Sequence, residues 1–448
     1  MMNNFVKICI FLISFTLISQ NKRPNVLLIT TDQHTVSALS AMGNSDISTP
    51  NIDRIANRGT IFNKAYVTFP LCSPSRASMF TGKMPHELGI YSNLQAKIDK
   101  NDFKTGLGQI MSDNGYDCVY GGKWHVPEID IPNNIGFKNI ADSGDEGLAE
   151  KCIEYLNNAP KKPFFMVASF VNPHDICEYA RNQRLPNGEI DEIPVHDCPN
   201  LPINHAIGAY ESEIIRLEQK LESKVYPTAN YSDDDWRKYI SAYYRLIEKV
   251  DFEIGKILNA LDKNGLDNNT IVIFTADHGD GMSAHHWNQK TVLFEESVHV
   301  PLIVRNPFNK KPQERSNELV SVGLDIMPTI LSIANTENSS DLLGHSIMPL
   351  TIKEKSNHDF VVVETMFDGA NSLQTKGRAL ITKKFKYVIY EQGKNREQLF
   401  DLEKDPFEIT NLATNARHKK QLVSMRKKLY DWCIKTNDLT VMKRLLIY

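Results

Sequence analysis

Uninterrupted apolar segments, separated by stretches with helical patterning, are the feature that most narrows the folds open to this chain. The clearest are NVLLITT at 25–31, PFFMVASFV at 163–171 and TIVIFTA at 270–276, with a shorter one at 300–304. A strand that is apolar at every position has both faces buried, which is typical of a parallel sheet covered by helices on each side. The sequence therefore predicts an α/β fold with a large, mostly parallel sheet sandwiched by helices.

The remaining patterns indicate how the chain is divided. Helices are predicted at 51–57, behind a Thr-Pro start signal, and at 239–261, where an amphipathic pattern is long. Residues 178–235 are rich in Pro, Asn, Asp and Glu, and we interpret them as an insertion over the substrate face. After about residue 355, four short strand-like segments and a helix at 419–436 predict a smaller antiparallel sheet plus helix. We therefore expect a catalytic domain at 22–354 and a C-terminal subdomain at 355–448.

The first residues and the net charge indicate where the protein works and what it binds. Lys7 precedes an apolar run at 8–19 that is too short to span a bilayer but has the length of a signal-peptide core. We predict a signal peptide at 1–20 and export to the periplasm or the medium, with no integral membrane span; a short buried helix or an uncleaved anchor stays open. A formal net charge of -3 does not indicate a protein that binds nucleic acid.

The seven cysteines give no metal or disulfide framework. No C-x-x-C pair occurs, so a cysteine zinc site is not expected. An oxidising compartment permits disulfides, and Cys177 could pair with Cys198 across a loop.

Polar side chains follow four strands at the points where those strands end. They are Asp32 and Gln33 after the first strand, Lys123 and His125 after a short strand at 117–120, His174 after the strand at 163–171, and Asp277 and His278 after the strand at 270–276. Ligands of open α/β sheets bind outside the carboxyl ends of the strands. Carboxylates, an amide oxygen and an imidazole at that edge suit a divalent cation, Ca²⁺ or Mg²⁺. One such residue alone would as readily cap a helix; four strand ends together favour a site.

Cys72 lies in the segment LCSPSRASMFTG at 71–82. Pro74 suits the first turn of a helix, which places Cys72 at a helix N-terminus, where anionic groups are stabilised and a thiol pKa falls. Arg76 lies one turn further and can point back at position 72. The pattern indicates a nucleophile held against a cation, although an isolated cysteine here would usually be structural.

These motifs resemble the formylglycine-dependent sulfatase family of the alkaline phosphatase superfamily. Cys72-Ser-Pro-Ser-Arg76 with Thr81-Gly82 is similar to the signature C-x-P-S-R, and the segment GKWH at 122–125 is similar to the second family motif. The segments at 24–32, 49–53, 275–279 and 399–412 resemble other family stretches in the same order. The resemblance covers nearly all of the chain after residue 22 and implies the alkaline phosphatase-like fold.

The resemblance also implies a chemistry for each matching residue. Cys72 would be oxidised to formylglycine by a formylglycine-generating or anaerobic sulfatase-maturating enzyme, and one hydroxyl of the hydrate would attack sulfur while the other later expels sulfate. The metal, usually Ca²⁺, would be held by Asp32, Gln33, Asp277, His278 and residue 72. Arg76, Lys123 and Lys290 would neutralise the sulfate, His125 would hold a formylglycine hydroxyl, and His174 would protonate the leaving alcohol.

Gln33 departs from the family, because many sulfatases have a second Asp there, and it is shared with the related phosphonate monoester hydrolases. A phosphonate or phosphate monoester hydrolase is therefore the first alternative, and a non-catalytic glycan-binding protein is the second. Export favours a sulfated polysaccharide or its oligosaccharides as substrate, an algal glycan or a glycosaminoglycan alike. Further candidates for substrate contact are His34, His285 and His286, whereas Trp124 is expected to pack.

Overall fold

The computed structural model describes residues 23–94, 98–127, 129, 135–158, 161–309, 313–336, 342–352 and 358–439. The predicted signal peptide at 1–20 lies outside these ranges. Within them, no helix has the length and apolar character needed to cross a membrane.

Strands and helices alternate along the first three-quarters of the chain. The strands are β1 (Asn25–Asp32), β2 (Thr60–Phe62), β3 (Ala65–Tyr66), β4 (Asp117–Gly122), β5 (Lys138–Ala141), β6 (Phe164–Pro173), β7 (Thr270–Ala276), β8 (Leu302–Arg305), β9 (Glu314–Ser316), β10 (Val320–Ser321), β11 (Val361–Met366), β12 (Lys376–Ile381), β13 (Phe385–Tyr390) and β14 (Glu397–Asp401). The helices are α1 (Pro50–Ala56), α2 (Cys72–Thr81), α3 (Pro85–Leu88), α4 (Lys100–Lys104), α5 (Leu107–Asp113), α6 (Leu148–Asn157), α7 (Ile176–Ala180), α8 (Glu213–Leu221), α9 (Asp233–Lys263), α10 (Glu295–Val298), α11 (Val322–Ile333) and α12 (Lys419–Thr436).

The central sheet has eight strands in the order β5-β4-β6-β1-β7-β8-β2-β9. From β5 to β7 every neighbouring pair is parallel, whereas β8 runs antiparallel to both β7 and β2. The predicted fold class, a large and mostly parallel sheet between helices, is confirmed. A two-stranded parallel sheet joins β3 to β10 beside it.

β1 is apolar throughout because it lies in the middle of the sheet with a core on each face. Val26 and Leu28 belong to the core that α2 and α11 cover, and Leu27 and Ile29 belong to the core that α1, α6 and α9 cover. All four side chains are fully buried. This two-sided burial fixes the strand in the sheet and so fixes where its last residue, Asp32, lies.

α9 is the longest of the helices in the described ranges and begins earlier than the pattern predicted. Ser232 caps it, since its hydroxyl accepts from the amide of Asp235 and the Asp235 carboxylate accepts from the amide of Ser232. This capping box extends the predicted helix at 239–261 upstream to Asp233. The added turns bring Trp236 into the core that Tyr239 and Tyr243 of the same helix also join.

The C-terminal part contains the predicted antiparallel sheet and helix. The strands β11-β12-β13-β14 form a meander, and α12 packs on it through Leu422, Met425 and Leu429. The boundary at 354/355 stays a prediction. Residues 178–235 are more structured than their composition indicated, because α8 lies among them and buries Ile214 and Ile215.

Candidate active site

Two carboxylates lie side by side at the centre of the sheet edge. Thr31 of β1 pairs with Ala276 of β7, so the residues that follow them, Asp32 and Asp277, reach the carboxyl ends of adjacent parallel strands together. Both are fully buried. Burial and the neighbouring Asp32 raise the pKa of Asp277 to about 6. Two confined carboxylates therefore require positive charge nearby.

Arg76 supplies part of that charge. Its Nε lies 2.7 Å from Asp277 Oδ2 and its Nη2 lies 3.1 Å from Asp32 Oδ2, while Nη1 donates to the Lys123 carbonyl and to Ser169. Each guanidinium nitrogen has a partner within the protein, and the side chain is 2% exposed. Arg76 thus orients both carboxylates; its predicted contact with sulfate stays a prediction.

Cys72 is the first residue of α2, as the Pro74 pattern predicted. Its Sγ lies 3.3 Å from His278 Nε2, 3.4 Å from Lys290 Nζ and 3.6 Å from Asp32 Oδ1. Burial and Asp32 would raise the pKa of the thiol, but Lys123, Lys290 and His278 together hold it well below its usual value. The site therefore stabilises negative charge at position 72.

Four side chains offer atoms that could hold one metal ion. Ligand atoms of Asp32, Cys72, Asp277 and His278 all lie within 4.8 Å of one another. Carboxylate oxygens suit Ca²⁺ or Mg²⁺, whereas a sulfur atom does not. An oxygen in place of the Cys72 sulfur would complete the fit to a hard cation, so the donor set agrees with an oxidised residue 72.

Lys123 and Lys290 approach position 72 from two elements. Lys123 Nζ lies 2.8 Å from Asp32 Oδ2 and 4.0 Å from Cys72 Sγ. Lys290 Nζ donates to Gln33 Oε1 at 2.9 Å. Burial opposes both charges, but Asp32 and Cys72 raise the pKa of Lys123, and Cys72, Cys177 and Asp32 raise that of Lys290. Two ammonium groups thus face the place where an anion would meet residue 72.

Lys290 lies on a loop with unusual backbone conformations. Six non-glycine residues between 282 and 291 have positive φ values: Met282, Ser283, His285, His286, Gln289 and Thr291. Side chains of α8 hold this loop, because Arg216 donates to the His285 carbonyl at 2.8 Å and Gln219 donates to the His286 carbonyl at 2.7 Å. Such conformations persist only where surrounding contacts enforce them.

The two remaining predicted histidines differ in placement. His174 is half-buried beside the site, with Nε2 4.0 Å from Cys177 Sγ. Burial, Lys123 and Lys290 lower its pKa to about 3. His125 is exposed, and its side chain makes no hydrogen bond or ion pair with the described part of the chain, although its carbonyl accepts from Ser73. The predicted role of His125 stays a prediction.

Three other expectations from the sequence are wrong. His34 is fully buried, with its ring nitrogens 3.2 Å from Thr31 Oγ1 and 3.1 Å from the Ala38 carbonyl, and His285 is 1% exposed and stacks on Phe294. Both rings are enclosed by other parts of the protein. The possible Cys177–Cys198 disulfide is absent, because both residues are free thiols.

His286, a candidate for substrate contact, and Trp124, which was expected to pack, both lie among aromatic rings. His286 lies against the rings of His205 and Trp236. Trp124 packs among aromatic rings, including Phe80 and Tyr120, as expected.

A cavity of about 310 Å³ opens beside Lys290 and His174. Arg181, Tyr226, Asn288 and Gln289 are among its lining residues. Arg181 and Tyr226 belong to the insertion at 178–235, which was predicted as a segment but not residue by residue, and no pattern in the sequence pointed to Asn288 or Gln289. Asp280, fully buried behind Gln33, was also missed, although its closeness to Asp277 along the chain was a usable hint.

A site of this kind suits one class of enzyme: hydrolases that cut esters of tetrahedral oxyanions with the help of a divalent cation. The comparisons narrow the class. Residues 24–336 match the family model described as Sulfatase, and residues 283–435 match N-sulphoglucosamine sulphohydrolase, C-terminal. The chain belongs to the sulfatase family and is a sulfuric ester hydrolase.

The relatives are similar to this chain over nearly its whole length. A Delta 4,5-hexuronate-2-O-sulfatase of Bacteroides thetaiotaomicron is 31% identical over 451 residues, covering 93% of this chain and 90% of that protein. The structure of a 2-O GAG sulfatase has a TM-score of 0.82 at 30% identity and covers 93% of both chains. A phosphonate monoester hydrolase of Agrobacterium radiobacter, with a TM-score of 0.74 at 22% identity over 92% of this chain and 96% of that one, shares the fold alone.

Proposed function

We propose that this chain removes sulfate from a sulfated polysaccharide or its oligosaccharides, with formylglycine made from Cys72 as the nucleophile. The observation that carries the proposal is the surroundings of Cys72, which is buried 3.4 Å from the ammonium of Lys290 and 3.6 Å from the carboxylate of Asp32. Such a position favours an anionic oxygen nucleophile facing an anionic ester.

The cavity favours a short sugar unit. Its volume is at the lower end of the range for ligand pockets, which suits a terminal unit better than a long stretch of polymer. Arg181 adds a cation at the wall, with its guanidinium 4.5 Å from the ring centroid of Tyr226. A sulfated hexuronate fits a cavity lined by two cationic side chains, Arg181 and Lys290. The relative that is 31% identical is named for a hexuronate 2-O-sulfate.

Maturation would replace the thiol by an aldehyde whose hydrate carries two geminal hydroxyls, one to attack sulfur and one to expel sulfate afterwards. Asp32, Asp277 and His278 would hold a divalent cation, Ca²⁺ in our proposal, and Gln33 is the fourth predicted protein ligand. Such a cation would supply positive charge, which would favour the deprotonated hydroxyl and polarise the sulfate.

Side chains of the protein would bind the sulfate and hold the carboxylates in place. Lys123 and Lys290 would bind sulfate oxygens, while Arg76 holds the carboxylates of Asp32 and Asp277 in place. Burial and the two ammonium groups lower the pKa of His174 in the free protein. A bound sulfate ester would offset the charges of the two ammonium groups and so favour the protonated His174 that donates to the leaving alcohol.

The proposal includes export and a maturation partner. The segment at 1–20 would direct the chain to the periplasm or the medium, where sulfated glycans are met. A formylglycine-generating or anaerobic sulfatase-maturating enzyme would act on the motif that begins at Cys72.

The test is to produce the full chain with a maturating enzyme and to combine mass spectrometry with paired assays. The peptide containing position 72 should lose about 18 Da relative to cysteine. The protein should hydrolyse aryl sulfate much faster than aryl phosphate or phosphonate, and should release sulfate from unsaturated hexuronate 2-O-sulfate disaccharides. Cys72→Ala is the control and should do neither. An unmodified, fully active protein, or one that prefers phosphonate, would refute the proposal.

A further inference from the structure

We propose that an acidic wall of the cavity, formed by Glu218, Glu222 and Asp368, selects substrates that carry no second sulfate next to the sugar unit that is desulfated. The inference rests on the proposed function, because it concerns the substrate of the same site. The preferred substrate is then a glycan unit with one sulfate, linked to a sugar that is neutral or bears an amine.

The acidic wall lines the same cavity as Lys290 and His174. Glu218 lies on α8, Glu222 is the C-cap residue of that helix, and Asp368 follows β11. Glu222 and Asp368 are half-buried, whereas Glu218 is 1% exposed. The insertion and the C-terminal part of the chain therefore both place negative charge at the cavity.

The carboxylates of the acidic wall form no ion pair within the part of the chain that the structure describes. Their hydrogen bonds come from neutral donors, which are the Leu373 amide for Glu218, the Asn371 amide for Glu222, and the Asn93 amide and Ser92 hydroxyl for Asp368. Burial raises the pKa of Glu218 and the neighbouring Glu222 raises it further, while the Leu373 amide lowers it. The negative charge of the wall is therefore not neutralised by a cationic side chain of the described residues.

The cations of the cavity already have other uses. Among the lining residues the cationic side chains are Arg181 and Lys290. Lys290 lies 3.4 Å from Cys72 Sγ and would bind the sulfate that is cleaved, and Arg181 lies 3.4 Å from the Glu178 carboxylate. His174 adds no charge in the free protein, because burial and the two ammonium groups lower its pKa to about 3. A second sulfate in the cavity would thus meet carboxylates that no further cation offsets.

The acidic wall does not have the geometry of a second metal site. It is not among the groups of described His, Cys, Asp and Glu residues whose ligand atoms lie within 4.8 Å of one another. Its charge therefore acts on the substrate itself. A carboxylate accepts hydrogen bonds from a hydroxyl or an ammonium group and repels a sulfate, so the wall favours the first two and rejects the third.

The experiment uses the full chain with formylglycine at position 72 and three disaccharides that differ in one group. Each contains unsaturated hexuronate 2-O-sulfate linked to glucosamine, whose nitrogen is a free amine, an N-acetyl group or an N-sulfate. The charge at that nitrogen thus changes from positive through neutral to negative. In wild type, kcat/KM for release of the 2-O-sulfate should fall about tenfold at each step, and high salt should shrink both steps.

The variants Glu222→Gln and Asp368→Asn remove one charge each and keep an oxygen for the backbone amide. Each should reduce the steps to about threefold, and the double variant should reduce them to less than about twofold. The two changes lie on different segments, so one variant still decides if the other does not fold. Glu213→Gln is the matched control: it is an exposed residue of α8 that accepts from the Lys394 amide at 2.9 Å, and it should keep the wild-type steps.

Equal kcat/KM values for the three disaccharides in wild type would overturn the inference and leave the proposed function standing. A wild type that prefers the N-sulfate would overturn it too, and so would wild-type steps in a folded double variant. If the matured wild type releases sulfate from none of the three, the proposed function fails and the inference fails with it.

Discussion

His86 joins α3 to the C-terminal part of the chain, and its protonation should stabilise the fold. Its Nδ1 is paired with the Glu364 carboxylate on β11, and its Nε2 lies 2.9 Å from the Thr436 carbonyl at the end of α12. Both ring nitrogens face oxygen acceptors, so only the imidazolium can donate to both. Although burial lowers the pKa of His86, Glu364 and Thr436 raise it to about 9.

The sign and size of the effect follow from this pKa. The folded value lies above the unfolded value of 6.5, so the stabilisation is complete below pH 6.5 and is lost as the pH rises through 9. At 1.36 kcal/mol for each pKa unit, the whole effect is about 3 kcal/mol. The side chain is 6% exposed, so solvent screening removes little of it.

The measurement is the free energy of unfolding in urea between pH 6 and pH 10 for wild type and His86→Gln. Wild type should lose about 3 kcal/mol more than the variant across this interval. The control His196→Gln, at an exposed histidine, should follow wild type at every pH. Parallel curves for wild type and His86→Gln would refute the reasoning, because both proteins would then bind the same number of protons on unfolding.

Four further outcomes are expected. Lys290→Ala should lower kcat/KM for aryl sulfate on the order of 100-fold; initial rates within threefold of wild type would contradict its role. Cys72→Ser has a single hydroxyl and should stop after one turnover with a mass gain of about 80 Da; sustained turnover would contradict the two-hydroxyl mechanism. Chelation should lower the melting temperature, and Ca²⁺ at a hundred times its Kd should restore about 2.7 kcal/mol; an unchanged melting curve would exclude a stabilising cation. Gly122→Ala should destabilise the fold by more than about 3 kcal/mol in urea, since its φ is +91° and a Cβ would meet the Ser169 carbonyl oxygen at 2.0 Å; wild-type stability would be the contrary result.

The strands and the carboxylate pair could be predicted because they depend on local sequence and one general rule. β1 and β7 are apolar runs, and parallel neighbours end at the same edge, so Asp32 and Asp277 had to meet. Strand direction is not encoded in this way. The segment at 300–304 was predicted as a strand, but its apolar pattern does not show that β8 runs antiparallel to β7.

Long-range contacts explain what the sequence did not reveal. His34 follows a strand end, as a ligand would, but the chain turns there. Both ring nitrogens of His34 lie at hydrogen-bond distance from Thr31 and Ala38. The Asp280 carboxylate accepts a hydrogen bond from Tyr239, 41 residues away on α9. No local pattern shows either outcome. α8 was missed because its apolar residues lie inside a polar insertion.

The positive-φ loop at 282–291 connects the insertion at 178–235 to Lys290, and this connection affects how such enzymes can diverge. Arg216 and Gln219 of α8 hold the backbone of the loop that presents Lys290. Exchange of residues 178–235 between relatives would thus alter turnover as well as substrate preference unless the matching loop travelled with it. We expect the two segments to change together, as a single inherited unit, whenever this scaffold is adapted to another glycan.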